Sequence, residues 1–330
     1  MKYKSIVVTA RGGPEVLKIV ENDLRLPSAG EVRVKILATP VTQDDVAVRV
    51  GDRPWLAEVP FVPGYSILGV VDATGDGVTR VSEGERVVAL TQFGGYAEYI
   101  YLVEGDLVHV PETLDPAEAV VLVLNYLVAY QILHRVVKVK EGDKVLIVGA
   151  SGGVGTAFLQ LGALAKLKMY GLASPNKHDI LVEYGATAID YRTEDFVQVI
   201  RAAEPEGLDY IFNGMFEQYI GQGMRILRRG GALVQYGAPQ TKRSFYTFLV
   251  QFILYNLLPN GKKIKGYGTH RLGVELFEED WKQLFQLLES GQIKPIIAKK
   301  FPLLEAAQAN VLLESGEVTG NLVLLDPELI

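Results

Sequence analysis

The stretch Lys144-Val145-Leu146-Ile147-Val148-Gly149-Ala150-Ser151-Gly152-Gly153-Val154-Gly155 constrains this chain more than any other. Four apolar residues enter a glycine-dense turn, and a helix-compatible run, Thr156-Ala157-Phe158-Leu159-Gln160-Leu161, leaves it. Glycines in such a turn let the backbone approach a pyrophosphate, and the helix start offers unpaired N–H groups to the anion. The pattern is a variant of G-x-G-x-x-G, and its weight comes from standing between a strand and a helix at the head of an alternating region. That alternation runs through strand Met169–Leu172, helix Lys177–Tyr184, strand Ala188–Ile189, helix Glu194–Ala202, strand Tyr210–Phe212, helix Gln218–Leu227 and strand Ala232–Tyr236. Strands spaced this way imply right-handed βαβ units, so Lys144 to Gly266 is predicted to be a doubly wound parallel-sheet domain.

The first 115 residues have a different character. Short β-like runs such as Glu31–Leu37, Ser66–Asp72, Glu85–Leu90 and Tyr96–Tyr101 alternate with Gly/Pro punctuation, which predicts a loop-rich antiparallel β domain. Pro116 to His134 reads as one long helix, with Asp115 as N-cap and Pro116 at the first helical position. After the alternating region come helices Glu278–Ser290 and Leu304–Ser315 and a strand, Asn321–Leu325. One more strand after two helices fits no further βαβ repeat, so this tail is expected to return to the first domain. The division expected is 1–121 with 267–330, and 122–266.

Composition excludes several functions. The chain has no cysteine, which removes disulfides, thiolate nucleophiles, iron–sulfur clusters and cysteine-based zinc sites together. Its four histidines, His109, His134, His178 and His270, are too scattered to start a metal site. Net charge is −6, so no nucleic-acid partner is expected. The apolar uncharged stretches Ala119–Leu133 and Ser244–Leu258 fall short of the ~18–20 residues of a spanning helix. No membrane insertion is expected, and the expected location is cytoplasmic.

The tip of the second alternating strand discriminates between nucleotides. An NAD site usually carries an acidic residue ~20 residues past the glycine loop to bind the ribose hydroxyls. Here the chain reads Leu172-Ala173-Ser174-Pro175-Asn176-Lys177, with a hydroxyl and an ammonium and no carboxylate at the tip. That pair suits a 2′-phosphate. Asp179, two residues into the next helix, argues mildly the other way.

These residues resemble the medium-chain dehydrogenase/reductase superfamily, in its zinc-independent quinone oxidoreductase branch, with zeta-crystallin-like and vesicle membrane protein-like relatives. The resemblance covers nearly the whole chain. It is carried by Gly13-Pro14-Glu15-Val16-Leu17-Lys18, Phe61-Val62-Pro63-Gly64-Tyr65, Gly94-Gly95-Tyr96-Ala97-Glu98-Tyr99, the glycine loop, Ile189-Asp190-Tyr191-Arg192-Thr193-Glu194-Asp195-Phe196 and Gly291-Gln292-Ile293-Lys294-Pro295. Asn125-Tyr126-Leu127-Val128-Ala129-Tyr130 is similar to the vesicle membrane protein relatives. The resemblance implies an α/β fold: a chaperonin-10-like β domain completed by the C-terminal tail, with a Rossmann domain inserted. It implies NADPH as hydride donor, held by Ser151, Gly152, Gly153, Val154 and Gly155, with Ser174, Lys177 and Tyr191 at the 2′-phosphate. Asn213, Tyr236 and Asn321 complete the implied cofactor-binding set. The family commonly forms homodimers, and the aromatic and aliphatic run Ser244–Leu258 is too apolar to leave wet on a monomer.

The chain also departs from its relatives. Zinc-dependent members have a cysteine at the position of Thr42 and Gly-His-Glu where this chain reads Gly64-Tyr65-Ser66. Within the quinone reductase branch, Thr42 replaces a common Asn and Val128 a common Thr. Thr42 and Tyr65 are therefore the candidate catalytic residues of a metal-free site. Reducing an ordinary ketone produces a strongly basic alkoxide that needs a Lewis acid or a placed proton donor. Reducing a quinone or an α,β-unsaturated carbonyl gives a delocalised oxyanion, to which Tyr65 either donates a hydrogen bond or only shapes the pocket. Two alternatives stand beside a quinone or enone reductase. One is an enoyl-thioester reductase, served by a basic patch at Lys242, Arg243, Lys262 and Lys263. The other is a non-catalytic NADPH-binding or sensor protein.

Overall fold

The computed structural model describes residues 1–52, 56–237, 241–269 and 274–330. The chain divides into a β-rich unit, Met1–Leu127 with Val274–Ile330, and an α/β unit, Val128–Gly273. These divisions fall a few residues beyond the limits at 121 and 266 read from the sequence.

The β-rich unit opens with β1 (Lys2–Val8), paired antiparallel to β2 (Leu17–Asp23). Then come β3 (Glu31–Val41), helix α1 (Gln43–Val50), β4 (Ser66–Thr74), β5 (Arg86–Leu90), β6 (Tyr99–Val103) and β7 (Val108–His109). Alternate residues of β3, Val32, Val34, Ile36 and Ala38, are fully buried, as its period-two pattern predicts. Val32, Val34 and Ile36 share one core with Ile67 of β4 and Val87 of β5. The sequence does not signal β2, because four of its seven residues in succession are exposed on a two-stranded ribbon.

Helix α2 (Pro116–Val137) is long, but its winding is not uniform. Asp115 caps it by accepting from Ala117 N (2.8 Å) and Glu118 N (3.1 Å), as expected. The segments Leu122–Tyr126 and Ile132–Val137 are wound as π-helix. Wider turns disturb the regular backbone ladder, and a buried carbonyl there needs another donor. Trp281 Nε1 supplies one, donating to Val123 O at 3.1 Å. By length and composition alone α2 is sufficient to cross a membrane, contrary to the sequence reading, because the helix runs to 22 residues, past Glu118 and Arg135 on either side of the uncharged stretch. Most of it is buried inside the protein, where a core helix has the same composition.

In the α/β unit, β8 (Lys144–Val148), β9 (Lys168–Ala173), β10 (Thr187–Asp190), β11 (Leu208–Asn213), β12 (Leu227–Gln235) and β13 (Lys263–Gly266) alternate with helices. The helices are α3 (Gly153–Leu164), α4 (His178–Glu183), α5 (Phe196–Ala203), α6 (Ile220–Ile226) and α7 (Lys242–Leu257). Among the described residues the sheet order is β10-β9-β8-β11-β12-β13, and every pairing is parallel. This is the doubly wound sheet read from the sequence. Its core joins Leu146, Leu172, Ile211, Leu233 and Ile264.

The tail α8 (Val274–Glu289), β14 (Ile297–Pro302), α9 (Ala306–Glu314) and β15 (Asn321–Leu325) belongs to the β-rich unit. There β15 pairs antiparallel with β3, extending the sheet to the order β14-β15-β3-β4-β5-β7.

Candidate functional site

In the α/β unit the strand order fixes where a ligand can sit. β8 is bonded to β9 on one side and β11 on the other, so successive crossovers leave it in opposite directions. Such a switch point opens a crevice beyond the carboxyl ends of the strands. The glycine loop follows β8 there. Gly149 has φ +77°, a left-handed conformation, and a Cβ on Gly155 would stand 2.2 Å from Gly149 O. Glycine is therefore required for α3 to begin this close to the strand. No side chain caps α3 at Gly152, and its first return bond is Thr156 N to Gly152 O (2.8 Å). The loop Ser151, Gly152, Gly153, Val154 and Gly155 thus forms a bare cradle at a helix start, which fits a dinucleotide pyrophosphate.

The adjacent strand ends carry the other α/β candidates. Ser174 follows β9, is almost fully buried, and its hydroxyl has no partner among the described residues. Lys177, half-buried, donates its backbone N–H to Ser174 O (2.9 Å). Tyr191 follows β10 and is exposed. Beside it stands a cation the sequence reading did not single out: Arg192 donates from Nε to the Tyr191 hydroxyl at 3.4 Å. Asp190 turns back on its own loop, accepting from Thr193 Oγ1 (2.6 Å) and Arg192 N (3.0 Å). Those bonds hold its carboxyl below the usual range. Asn213 ends β11 and is engaged at both ends, Nδ2 donating to Gln235 Oε1 (2.8 Å) and Oδ1 accepting from Met215 N (3.0 Å). Tyr236 lies just past β12, 5.6 Å from the Phe158 ring, and burial raises its hydroxyl. Five neighbouring strand ends therefore bring these residues to one edge of the sheet.

The candidates of the β-rich unit centre on a residue missed in the sequence, Asp45. Thr42 is the N-cap of α1, its hydroxyl accepting from Asp45 N (3.3 Å) and donating to Asp45 Oδ2 (2.7 Å). Its only proton is thus committed, so Thr42 contributes the position of α1 rather than a free donor. Asp45 also accepts from Thr42 N (3.0 Å), Gly64 N (2.8 Å) and the buried Tyr96 hydroxyl (3.3 Å). Burial pushes the Asp45 carboxyl up to about 6, against the opposing pull of the Thr42 and Gly64 bonds. A capping box, Thr42-x-x-Asp45, was the signal available in the sequence.

Tyr65 is presented by the loop that Asp45 fastens. Gly64 has φ +108°, and a Cβ there would stand 2.4 Å from Gly95 Cα. Tyr65 O accepts from Thr91 N (2.9 Å) and Gln92 N (3.0 Å), and Gly64 O from Thr91 Oγ1 (2.8 Å). Tyr65 lines a pocket of about 10 Å³, room for about one water, within this unit together with Phe61, Phe93, Gln92, Asp44 and Asp45. Asn321, at the start of β15, accepts from Asn125 Nδ2 (2.6 Å) and donates to Ile296 O (3.0 Å).

The donor set at the position where relatives hold zinc does not suit that ion. Thr42 is tied to Asp45, and Ser66 is a fully buried hydroxyl with no partner among the described residues. Neutral hydroxyls make poor zinc ligands beside imidazole and thiolate. Three of the four histidines, His109, His134 and His178, join no metal-binding group of three among the described residues, and His270 lies outside them. Of the basic patch, Lys262 and Lys263 donate to the main-chain carbonyls of Met224 (2.8 Å) and Asn256 (3.0 Å). The Lys242 side chain lies outside the described residues.

Comparison with known proteins agrees with this architecture. Residues 28–112 match the alcohol dehydrogenase GroES-like domain, and residues 184–324 match a family described as zinc-binding dehydrogenase. The chain is 30% identical to the synaptic vesicle membrane protein VAT-1 homolog of Rattus norvegicus, over 98% of this chain and 84% of that protein. It is 29% identical to the quinone oxidoreductase of Sus scrofa, over 95% of each. Among solved structures, Escherichia coli quinone oxidoreductase complexed with NADPH superposes with a TM-score of 0.88 at 25% identity, covering 98% of this chain and 99% of that one.

Asp45 generates a prediction about pH. Its carboxyl is higher in the fold, about 6, than its ordinary value of 3.8, so the fold favours the protonated form. Its contribution is fully present below ~3.8 and is lost as pH rises through about 6, a span worth up to ~3 kcal/mol. Chemical denaturation of Asp45→Asn at successive pH values should lack this component of the pH 4–6 slope. An identical slope in both proteins contradicts the assignment.

Proposed function

The chain belongs to the medium-chain dehydrogenase/reductase superfamily, and we propose that within it this protein is an NADPH-dependent, metal-free reductase of quinones or α,β-unsaturated carbonyls. The observation that carries the reading is the edge formed by the ends of β8, β9 and β10. There a bare glycine cradle stands beside Ser174, Lys177, Tyr191 and Arg192, while Asp190 is spent on its own turn. The quinone oxidoreductase of Escherichia coli, similar along nearly its whole length, is solved with NADPH.

In this reading the loop Ser151, Gly152, Gly153, Val154 and Gly155 receives the pyrophosphate, with the Gly152 N–H itself bonded back to Gly149 O (3.1 Å). Ser174, Lys177 and Tyr191 receive the 2′-phosphate, with Arg192 adding a second cation, and Asn213, Tyr236 and Asn321 complete the cofactor set. NADPH, when bound, supplies the hydride. Tyr65 donates to the oxygen on which charge develops, from a loop already fixed through Gly64, so the donor needs no reorganisation during the reaction. Asp45 holds that loop and Thr42 in register. With no metal suited to this donor set, the site favours products whose negative charge is delocalised. A chain without cysteine is compatible with a reducing cytoplasm, where this reading places it.

We also read the assembly as a homodimer built on the α/β unit. Phe245, Tyr246, Leu249, Val250, Ile253 and Leu254 form an exposed stripe on α7, in a run with no charged residue from Ser244 to Leu258. Among the described residues the neighbouring strand β13 pairs only with β12, leaving its outer edge open. A second copy covers both at once. Light scattering at micromolar protein should give twice 36.2 kDa, and Leu254→Lys should reduce the mass to one chain. A monomeric mass for the unchanged protein contradicts the dimer.

Two measurements test the reductase. Lys177→Ala should weaken NADPH binding by ~1–3 kcal/mol, far more than NADH binding, as expected for a lost charged hydrogen bond. Equal affinity of the unchanged protein for both nucleotides contradicts the 2′-phosphate site. The unchanged protein should oxidise NADPH with a small quinone or conjugated enone and be nearly inert toward simple alcohols with NADP⁺. Tyr65→Phe should lower kcat for an enone by ~10²-fold, the range of a lost oxyanion donor, and affect a quinone much less. Turnover of crotonyl-CoA alone would move the reading to an enoyl-thioester reductase.

A further inference from the structure

The chain has four methionines and no cysteine, so thioethers are its only sulfur. Met169 and Met224 are buried, at 3% and 4% exposure, and Met1 stands at the first position with 96%. Met215 differs from all three: it is internal, 52% exposed, and on the nucleotide edge of the α/β unit. Neighbouring strands fix its place there. β11 runs parallel to β8 with Asn213 in register with Val148, so Met215 and the glycine loop leave the sheet side by side. The Met215 backbone N–H donates to Asn213 Oδ1 (3.0 Å). Gly214, just before it, passes so close to Tyr236 that a Cβ there would stand 2.7 Å from the hydroxyl. On the other side, a Cβ on Gly149 would stand 3.9 Å from both Met215 Cγ and Sδ. The thioether therefore lies next to Gly149, where the pyrophosphate cradle begins.

A thioether is a flexible, apolar packing group, and oxidation converts it into a polar, chiral sulfoxide. We propose that Met215 is an oxidative modification site, and that its sulfoxide weakens binding of the dinucleotide at the glycine loop. The oxidant is a peroxide. The sulfur lone pair attacks one peroxide oxygen, an S–O bond forms, the O–O bond breaks, and hydrogen peroxide leaves as water. Sulfur is oxidised by two electrons and the peroxide is reduced by two. Access selects the site, because Met169 and Met224 are shielded and the chain has no thiol to compete. The consequence follows from charge. A sulfoxide oxygen carries the negative end of the S–O dipole, and beside Gly149 it opposes the phosphate oxygens that the loop receives. The same proximity acts in reverse, since a bound dinucleotide covers Met215 and slows its oxidation. This inference rests on the reading of the loop as the cofactor site, and it adds a route by which peroxide lowers cofactor occupancy.

The unchanged protein and Met215→Leu, which keeps the side-chain volume without the sulfur, are treated with hydrogen peroxide, with and without saturating NADPH. One tryptic peptide, 202–225, carries both Met215 and Met224, so its fragment masses compare an exposed thioether with a buried one. Met215 should gain one oxygen while Met224 and Met169 gain none. NADPH should slow the gain at Met215 several-fold and leave Met1 unaffected. After the peroxide is removed, fluorescence titration gives the Kd for NADPH, and each protein is compared with its own untreated sample. The Kd of the unchanged protein should rise roughly 5–10-fold, the scale of one unfavourable polar contact, with its Tm retained. Methionine sulfoxide reductase should restore it, and Met215→Leu should show no rise. Oxidation of Met224 ahead of Met215 overturns the inference, as does an equal rate at Met215 with and without NADPH. So does an unchanged Kd once Met215 is oxidised, or an equal rise in Met215→Leu. Failure of the cofactor reading is seen separately, as absence of NADPH binding by the unchanged protein before any peroxide is added.

Discussion

Parallel pairing on both sides of β8 is the constraint from which the α/β unit follows. A parallel strand cannot be reached by a tight turn, so each connection must cross the sheet, and right-handed crossovers return every strand in the same direction. All carboxyl ends then share one edge. The residues that leave β8, β9, β10, β11 and β12 become neighbours although sequence separates the first from the last by almost ninety positions. The chemistry of that edge depends on what the chain places there. Here that is backbone N–H groups with no capping side chain, a buried hydroxyl, a lysine, and a tyrosine–arginine pair.

In the β-rich unit a single carboxylate has the comparable role. Asp45 gathers donors from its own helix cap, from the Gly64 loop and from Tyr96, three segments distant in sequence. A fully buried carboxylate is costly to desolvate, and only such a set of donors makes it tolerable at neutral pH. The same bonds leave the Thr42 hydroxyl without a free proton and fasten Gly64, the residue before Tyr65. The Thr42 hydroxyl is here used to hold a helix cap in place.

Several features were legible before any coordinates. Alternation of apolar runs and helical runs announced the parallel sheet, because periodicity reports local geometry directly. The glycine loop was readable because only glycine permits the approach of Gly155 to Gly149. Others were not. β2, β7 and β13 are short or exposed strands whose hydrophobic pattern is weak, and π-helical winding in α2 leaves no composition signature. Arg192 was passed over because an arginine after a strand looks ordinary until its neighbours are known.

The sequence by itself determined the fold class, the strand–helix alternation of the α/β unit, the glycine loop after β8 and the absence of any thiol chemistry, since each depends on residue type and local spacing. Tertiary structure alone decided which side chains are already spent. Thr42, Asn213 and Asn321 look equally available in the sequence, yet all three have hydrogen-bond partners in the fold. Asp45 acquires its significance only from what surrounds it. A side chain's capacity to act on a ligand is what remains after its bonds within the protein are made, and those bonds join residues whose proximity no local pattern encodes.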